Sequence, residues 1–227
     1  MSPRLSLIIT AVNEADNLSV LVPRLIDLFA REGVAAEIIV VDGHSTDGTA
    51  DVAARLGCRV QLQSGPGYAQ AIRDGIAAAG GDYVIVMDGD LSHAPEAALR
   101  LFQHRHQADI VINSRYVAGG GSDAVWWRDA LSRLLNLLYR RVLDLPYREI
   151  SGGFRLYRRE VLERVPIDSR FYEVQEEILV RAHGLGFRAL EIPYRYRRRG
   201  TGSSKARPMK HGLHLLYALL KFRRHAR

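Results

Sequence analysis

The sequence predicts an α/β protein, a single domain whose mostly parallel central sheet is flanked by helices. Two observations carry this expectation. Short, wholly apolar runs alternate with stretches of helical periodicity through the first half, as expected of parallel strands buried on both faces. The chain is 227 residues long, with 47% apolar and 25% charged residues. That suits one domain with an ordinary core and excludes wholesale disorder or a collagen-like chain.

The elements follow in order. Leu5–Ala11 (LSLIITA) reads as a buried strand. Asn13 or Asp16 caps a helix whose apolar positions are Leu18, Leu21, Val22, Leu25, Ile26 and Phe29. Glu37–Val41 (EIIVV) is the second strand, Thr49–Leu56 a short helix stopped by Gly57, and Arg59–Leu62 the third strand. A helix covers about Tyr68 to Ala79, and Tyr83–Met87 (YVIVM) is again a strand. Pro95 opens a helix at the position that tolerates it, and Ile110–Ile112 leads a further strand.

The second half is less regular. Gly119–Gly121 is a turn, Val125–Leu143 a helix with arginines between its apolar positions, and Gly152–Tyr157 a strand. Val174–His183 is a helix and Ala189–Tyr196 a strand. The loop Arg197–Pro208 precedes a last helix, Met209–Arg227, so the expected division is a domain over 1–208 followed by a basic amphipathic helix over 209–227. Ligands on such sheets bind beyond the carboxyl ends of the strands.

Charge is unevenly spread. Residues 1–191 hold 21 arginines, no lysine and all 25 acids, a balance of −4; residues 192–227 hold 11 basic residues and no acid. The basic arm suits a phosphate-rich partner such as lipid headgroups, nucleic acid or a phosphorylated ligand. The lone cysteine, Cys58, excludes an internal disulfide and fits a reducing cytosol. The start has no signal-peptide layout, and no run of 18 uncharged apolar residues exists. A cytoplasmic location is expected.

The sharpest local feature is Asp88-Gly89-Asp90, directly after the YVIVM strand. Two like charges this close need a cation, and a hard divalent metal bridging to a diphosphate supplies it. Gly89 admits close backbone approach, and Ser92 offers a further hydroxyl. The plainer alternative is a solvated turn capping the next helix. Asp42 ends the second strand in the same way and is placed to accept hydrogen bonds from a base or ribose, whereas Asp47 reads better as a helix cap and His44 as a turn residue. Asn13 and Glu14 close the first strand and are candidate substrate contacts, Glu14 touching a sugar or base, or else they form an ordinary helix start. Arg115 follows the Ile110–Ile112 strand, and its guanidinium fork suits phosphate; Arg128, Arg199 and Lys205 are candidates to converge on it, each otherwise a surface charge. Gln175 and Glu177 either point into the crevice and bind sugar hydroxyls or, with Glu176, simply favour a helix start.

The order Thr10-Ala11-Val12-Asn13-Glu14, Val41-Asp42, Ser45-Thr46-Asp47-Gly48-Thr49, Met87-Asp88-Gly89-Asp90-Leu91-Ser92-His93, Ser114-Arg115-Tyr116, Ser151-Gly152-Gly153-Phe154-Arg155-Leu156-Tyr157, Gln175-x-Glu177 and Arg199…Gly202-x-Ser204-Lys205 resembles the inverting family 2 glycosyltransferases. Within them it is most similar to the dolichol-phosphate or polyprenyl-phosphate mannose synthases. The resemblance implies a GT-A-type nucleotide-sugar-binding domain. It implies that Asp42 and Glu14 contact the nucleoside with Ala11 lining that pocket, and that Asp88 and Asp90 hold Mg2+ or Mn2+ on the donor diphosphate with Ser92 at the third ligand position. It further implies that Arg115 and Arg128 bind the acceptor phosphate and that Gln175 and Glu177 orient the sugar. Arg199, Ser204 and Lys205 would belong to a loop over the phosphates. The chain departs from the pattern at Gly43, where a second acid is usual, at His44, where glycine is usual, and at Glu149, where many members have Asp.

The implied reaction moves a hexose from a nucleotide-diphosphate sugar, GDP-mannose preferred and UDP-glucose next, onto a polyprenyl or dolichyl monophosphate in a membrane. A phosphate monoester is mostly dianionic near neutral pH, with a second pKa of about 6. It therefore needs alignment and charge neutralisation more than a strong base. The last helix presents Leu213, Leu216, Tyr217 and Leu220, with Leu215, Leu219 and Phe222 widening that face, beside Lys210, Lys221, Arg223, Arg224 and Arg227. It either lies at anionic headgroups or packs on the core. Trp126-Trp127 raise the same two alternatives. Two other readings compete: a family 2 transferase with a hydroxyl acceptor, using Glu176 or Glu177 as base, and a nucleic-acid-binding module. No nucleic-acid motif appears, so no such partner is expected.

Overall fold

The computed structural model describes residues 4–197 together with Leu219 and Phe222. Sixteen elements are ordered along the described residues. The first half comprises β1 (Leu5–Ala11), α1 (Ala15–Arg31), β2 (Ala36–Asp42), α2 (Thr49–Arg55), β3 (Arg59–Leu62), α3 (Tyr68–Ala78), β4 (Tyr83–Asp88), α4 (Pro95–Gln103) and β5 (Ile110–Ser114). The second comprises β6 (Gly121–Ser122), α5 (Trp126–Val142), β7 (Arg155–Arg158), α6 (Arg159–Arg164), α7 (Val174–Gly184), β8 (Ala189–Pro193) and β9 (Arg195–Tyr196).

Apolar strand residues alternate between the two faces, so each face needs its own cover. Ile8, Ile39, Val41, Val84 and Val86 pack with Ala69 and Ile72 of α3, Tyr139 of α5 and Ile178 of α7. Leu7, Ile9, Val40, Ile85 and Met87 pack on the other side with Leu18, Leu21 and Leu25 of α1 and Leu101 and Phe102 of α4. This is the α/β sandwich expected from the continuous apolar runs.

The main sheet has seven strands in the order β3-β2-β1-β4-β7-β5-β8. Strands β3, β2, β1 and β4 pair in parallel. β7 is inserted antiparallel between β4 and β5, and β8 returns parallel to β5. The strand expected over Gly152–Tyr157 begins only at Arg155. The one expected over Ala189–Tyr196 is split at Tyr194, and its last two residues pair with β6 in a separate two-stranded ribbon. Helix α6 had no separate sequence signal, because it follows β7 without a turn.

Leu219 and Phe222 are helical and buried, and both join the α5–α7 face of the core. At these two positions the last helix packs on the domain. The other residues of the helix expected over 209–227, its boundary at Pro208, and Arg199, Ser204 and Lys205 lie outside the described residues.

Helix α3 lies close over β1 and β2 because Gly75 has no side chain: a Cβ there would collide with Ile8 and meet Val41. Gly75→Val is expected to destabilise the domain by about 1–3 kcal/mol through overpacking, measured by urea denaturation. Unchanged stability would show that the contact yields freely.

Candidate active site

The strand order reverses between β2-β1 and β4, and the register there brings three strand ends to one level. Ala11 pairs with Asp42, and Thr10 pairs with Asp88. Above them opens a cleft of about 850 Å³, at the switch point where open α/β sheets take ligands. Among the described residues, one end is lined by Ala11, Val12, Val41, Gly43, His44, Gln63 and Gly65–Gly67, the middle by Thr10, Glu14, Asp88, Gly89 and Asp90, and the far end by Ser151, Gly153, Tyr172, Gln175 and Glu176, with Tyr68 in the wall.

The first end is shaped by two interlaced loops. The amide of Asn13 donates to Ser45 Oγ, the Thr46 amide donates to Asn13 Oδ1, and the amides of Glu14 and Ala15 donate to Thr49 Oγ1 and Asp47 Oδ2. Asn13 therefore holds the loop in a left-handed conformation, with φ at 55°. It does not line the cleft, contrary to the substrate-binding role expected of it. Asp42 is 2% exposed, and both its carboxylate oxygens accept from Ser45. Ala11 and Glu14 do face the cleft. Gly43 explains its own departure from the family pattern, since a Cβ there would press on Val12 and Gln63. His44, expected as a plain turn residue, both turns the chain at φ 60° and lines the cleft, with Nε2 3.0 Å from the Gln63 carbonyl.

The middle carries the two acids. Asp88 Oδ1 accepts from Thr10 Oγ1 at 3.2 Å, and Asp90 Oδ1 accepts from the Ser92 amide at 2.9 Å. Both aspartates line the cleft, and their hard oxygens fit a divalent cation. Ser92 does not fit the third ligand position: it is buried off the cleft, with its carbonyl accepting from Tyr194 Oη at 2.8 Å. Among the described residues no group of three His, Cys, Asp or Glu side chains is arranged to hold a metal. The loop is braced by His93, whose Nε2 lies 3.7 Å from Asp88 Oδ2 and whose Nδ1 lies 3.1 Å from Tyr194 Oη. Its ring packs 4.3 Å from that of Phe154. His93 and Tyr194 are 101 residues apart, a meeting without local signal.

Arg115 has an internal partner without local sequence signal. Arg115 Nε and Nη2 grip the buried Glu149 carboxylate at 2.8 and 2.7 Å, and Nη2 also reaches Ser132 Oγ. Burial alone would lower the pKa of this guanidinium; Glu149 overrides it and raises it. Two of its three nitrogens thus face an internal acid, with only Nη1 outside these bonds. Arg128 is exposed on α5, its guanidinium 5.2 Å from the Trp127 ring, and no contact with Arg115 forms.

Glu177 is not among the residues that line the cleft. Its carboxylate is fully buried, accepts from the amides of Asp168 and Ser169, and pairs with Arg181 at 2.9 Å. The helix turns Glu176 to the cleft in its place, beside Gln175. Gln175 accepts from Tyr157 Oη at 3.0 Å and stands 3.4 Å from Tyr68 Oη, and Tyr68 stacks on Tyr172 at 5.0 Å. Burial, then the charge of Asp88, pushes the Tyr68 phenol well up. Neither tyrosine was singled out beforehand, because they are brought together by tertiary packing.

The comparisons agree with this geometry. The sequence profile of glycosyl transferase family 2 matches residues 6–165, so the chain belongs to that family and is a glycosyltransferase. Among curated relatives, it is 34% identical over 218 residues to a polyprenol monophosphomannose synthase from Mycolicibacterium smegmatis, covering 89% of this chain and 80% of that one. It is 31% identical to a dolichol-phosphate mannosyltransferase from Pyrococcus furiosus, over 96% of this chain but 64% of the relative's length. In fold alone it resembles glucosyl-3-phosphoglycerate synthase from Mycobacterium tuberculosis, with a TM-score of 0.78 and 21% identity over 97% of this chain and 78% of that one. That structure was determined with Mn2+, uridine diphosphate and phosphoglyceric acid, and another of the same enzyme with Mg2+ and uridine diphosphate.

Burial raises the Glu176 carboxyl to about 8, with Arg155 opposing and Glu173 and Glu149 adding to the rise. Between the ordinary carboxyl range and that value the folded chain keeps a proton that the unfolded chain has released, so stability falls as pH rises through the window. The wild-type Tm is expected to drop relative to that of Glu176→Gln between about pH 5 and about pH 8. A difference independent of pH would show that Glu176 titrates normally.

Proposed function

We propose that the chain transfers mannose, with inversion, from GDP-mannose to a polyprenyl or dolichyl monophosphate. The observation that carries this reading is the cleft itself, with Asp88 and Asp90 at the switch point of a chain 34% identical to a polyprenol monophosphomannose synthase. The nucleoside takes the end bounded by Ala11, Val12, Val41 and His44, the diphosphate lies at Asp88-Gly89-Asp90, and the hexose reaches toward Ser151, Gly153 and Gln175. Bound at Asp88 and Asp90, Mg2+ or Mn2+ would neutralise the donor diphosphate and stabilise it as a leaving group. UDP-glucose is the alternative donor, and the labelled-donor experiment below separates the two.

The acceptor phosphate and donor diphosphate repel each other. Two unit charges at about 4 Å cost roughly 4 kcal/mol at an effective dielectric near 20. Arg115 Nη1 and Arg128 are assigned to the acceptor phosphate as its cationic partners, and Arg199, Ser204 and Lys205 to a loop over the phosphates. The dianionic acceptor carries its own nucleophilic oxygen, so the site needs in-line alignment more than a base.

Helix α5 gives a physical route for a lipid. Its inner face is tied to the site, with Asn136 Nδ2 donating to Ser151 Oγ at 3.0 Å and Ser132 bonded to Arg115. Its outer face is apolar and open: Trp126 is 80% exposed, and Trp127, Leu131, Leu134, Leu138 and Val142 form an exposed stripe. Arg128, Arg133, Arg140 and Arg141 are exposed on the same helix. Apolar side chains interspersed with arginines suit the headgroup region of an anionic membrane. No helix of the described residues is long and apolar enough to cross a membrane, so this reading places α5 along the interface.

Incubation of the protein with labelled GDP-mannose or UDP-glucose, a divalent metal and undecaprenyl or dolichyl phosphate is expected to move label from GDP-mannose into organic solvent. Asp90→Ala or EDTA should abolish the transfer, with the variant still unfolding cooperatively although its lost bond to the Ser92 amide lowers stability by about 1–3 kcal/mol. Full activity in EDTA would overturn the metal assignment, and no lipid product from either donor would overturn the acceptor class.

Trp126→Ser combined with Trp127→Ser should reduce transfer to long-chain acceptor in anionic vesicles by at least about tenfold. Transfer to a short, soluble prenyl phosphate should change by less than about twofold. Equal losses on the two acceptors would argue against α5 as the membrane contact.

A further inference from the structure

At the nucleoside end of the cleft both carboxylate oxygens of Asp42 are occupied by Ser45, and Gly43 brings no side chain to the next position. Two other acceptors stand there. Gln63 extends the β3 edge by donating its amide to the Asp42 carbonyl at 3.0 Å. Its side-chain Nε2 donates to the carbonyls of Gly65 and Gly67, the second at 2.9 Å. Two carbonyl partners fix the orientation of the carboxamide, because an oxygen in that place would meet oxygens. Oε1 is thereby set beside Gly43, where a Cβ would stand 3.1 Å from it, and both residues line the cleft. His44 is exposed at the same end. Its Nε2 lies 3.0 Å from the Gln63 main-chain carbonyl. A carbonyl only accepts, so Nε2 carries the proton, and the neutral ring keeps Nδ1 as an acceptor. Neither Gln63 Oε1 nor His44 Nδ1 accepts a hydrogen bond from the described residues.

We propose that Gln63 and His44 are the specificity-determining residues for the base of the donor, and that their two acceptors, Oε1 and Nδ1, select guanine. The inference rests on the nucleotide-sugar reading above and deepens it. Ala11, Val12 and Val41 offer an apolar surface at this end, which the flat face of any base accepts. The edge of the base decides. Guanine presents two neighbouring donors, N1–H and the 2-amino group, to two acceptors. Uracil presents one donor, N3–H, between two carbonyls, whose lone pairs would oppose those of the protein. Adenine and cytosine each offer an amino group beside a ring acceptor. A site that hydrogen-bonds its ligand discriminates against one that leaves its polar groups unmatched. Both side chains stand on short extensions of buried strands, Gln63 directly after β3 and His44 two residues after β2. They are also bonded to each other, so the acceptors are preorganised.

Binding of GDP, inosine diphosphate and UDP, each with Mg2+, is measured by calorimetry on the full chain and on His44→Gly, where glycine accepts the φ of 60° without strain. Wild type is expected to bind GDP about tenfold more tightly than UDP. It should bind GDP about fivefold more tightly than inosine diphosphate, which lacks only the 2-amino group. His44→Gly should weaken GDP by about fivefold and leave UDP within about twofold of wild type. Equal binding of GDP and UDP by wild type, equal binding of GDP and inosine diphosphate, or an unchanged ratio of GDP to UDP affinity in His44→Gly would each overturn the proposal. If the variant does not fold, 7-deazaguanosine diphosphate on wild type replaces it. Altered only on the opposite edge of the base, it should bind within about twofold of GDP, and a larger loss would place the contacts on that edge and refute the assignment. Nucleotide binding without base preference refutes this inference alone. Failure of all the nucleoside diphosphates to bind wild type would instead refute the nucleotide-sugar reading on which it stands.

Discussion

The site exists because β1 pairs in parallel with β2 on one side and β4 on the other, in a register that ends all three strands together. Thr10 lies opposite Asp88 and Ala11 opposite Asp42. Side chains alternate across a sheet, so a slip of one residue would turn the strand-end acids to the opposite faces. The register is held by burial on both faces, with Ile8 packing one way and Leu7 and Ile9 the other. The functional carboxylates are thus positioned by the apolar residues that precede them. Gly75 lets α3 close over the same strands.

The second half builds the wall of the cleft by burying charge in matched pairs. Arg115 with Glu149 and Arg181 with Glu177 each place an acid of no solvent exposure against a largely covered guanidinium. Removing one partner of such a pair would leave an uncompensated buried charge, a cost of about 3–5 kcal/mol. These pairs fix the segment 149–153 and the start of α7 while leaving Glu176 turned toward the cleft. One sequence triplet, Gln175-Glu176-Glu177, therefore divides between lining the site and bracing it, because successive helical residues point about 100° apart.

Helix α5 links the cleft to the outside. Its inner residues bond to Ser151 and Arg115, and its outer apolar stripe stays exposed. The packing of Leu219 and Phe222 into the α5–α7 face shows that the last helix contributes to the core at those positions. Positive charge and apolar surface are thus available on an element that is itself bonded to the cleft wall.

The sequence by itself determined the architecture of the first half and the location of the acids. Continuous apolar runs of strand length, glycine stops and Pro95 are local signals, and the elements they predict differ from the observed ones by a residue or two. The Asp88-Gly89-Asp90 turn was legible for the same reason, since acids directly after a buried strand are close in sequence and in space. Tertiary structure alone decided which polar side chains face the cleft. Arg115 and Glu149 are 34 residues apart, His93 and Tyr194 are 101 apart, and Tyr68 and Gln175 are 107 apart. A side chain's partner in such pairs depends on the antiparallel insertion of β7 and the docking of α5 and α7. Periodicity reports which face of an element is apolar, but not which distant charge will neutralise an arginine, so the internal partners of Arg115, Asp42 and Glu177 come from the packing alone.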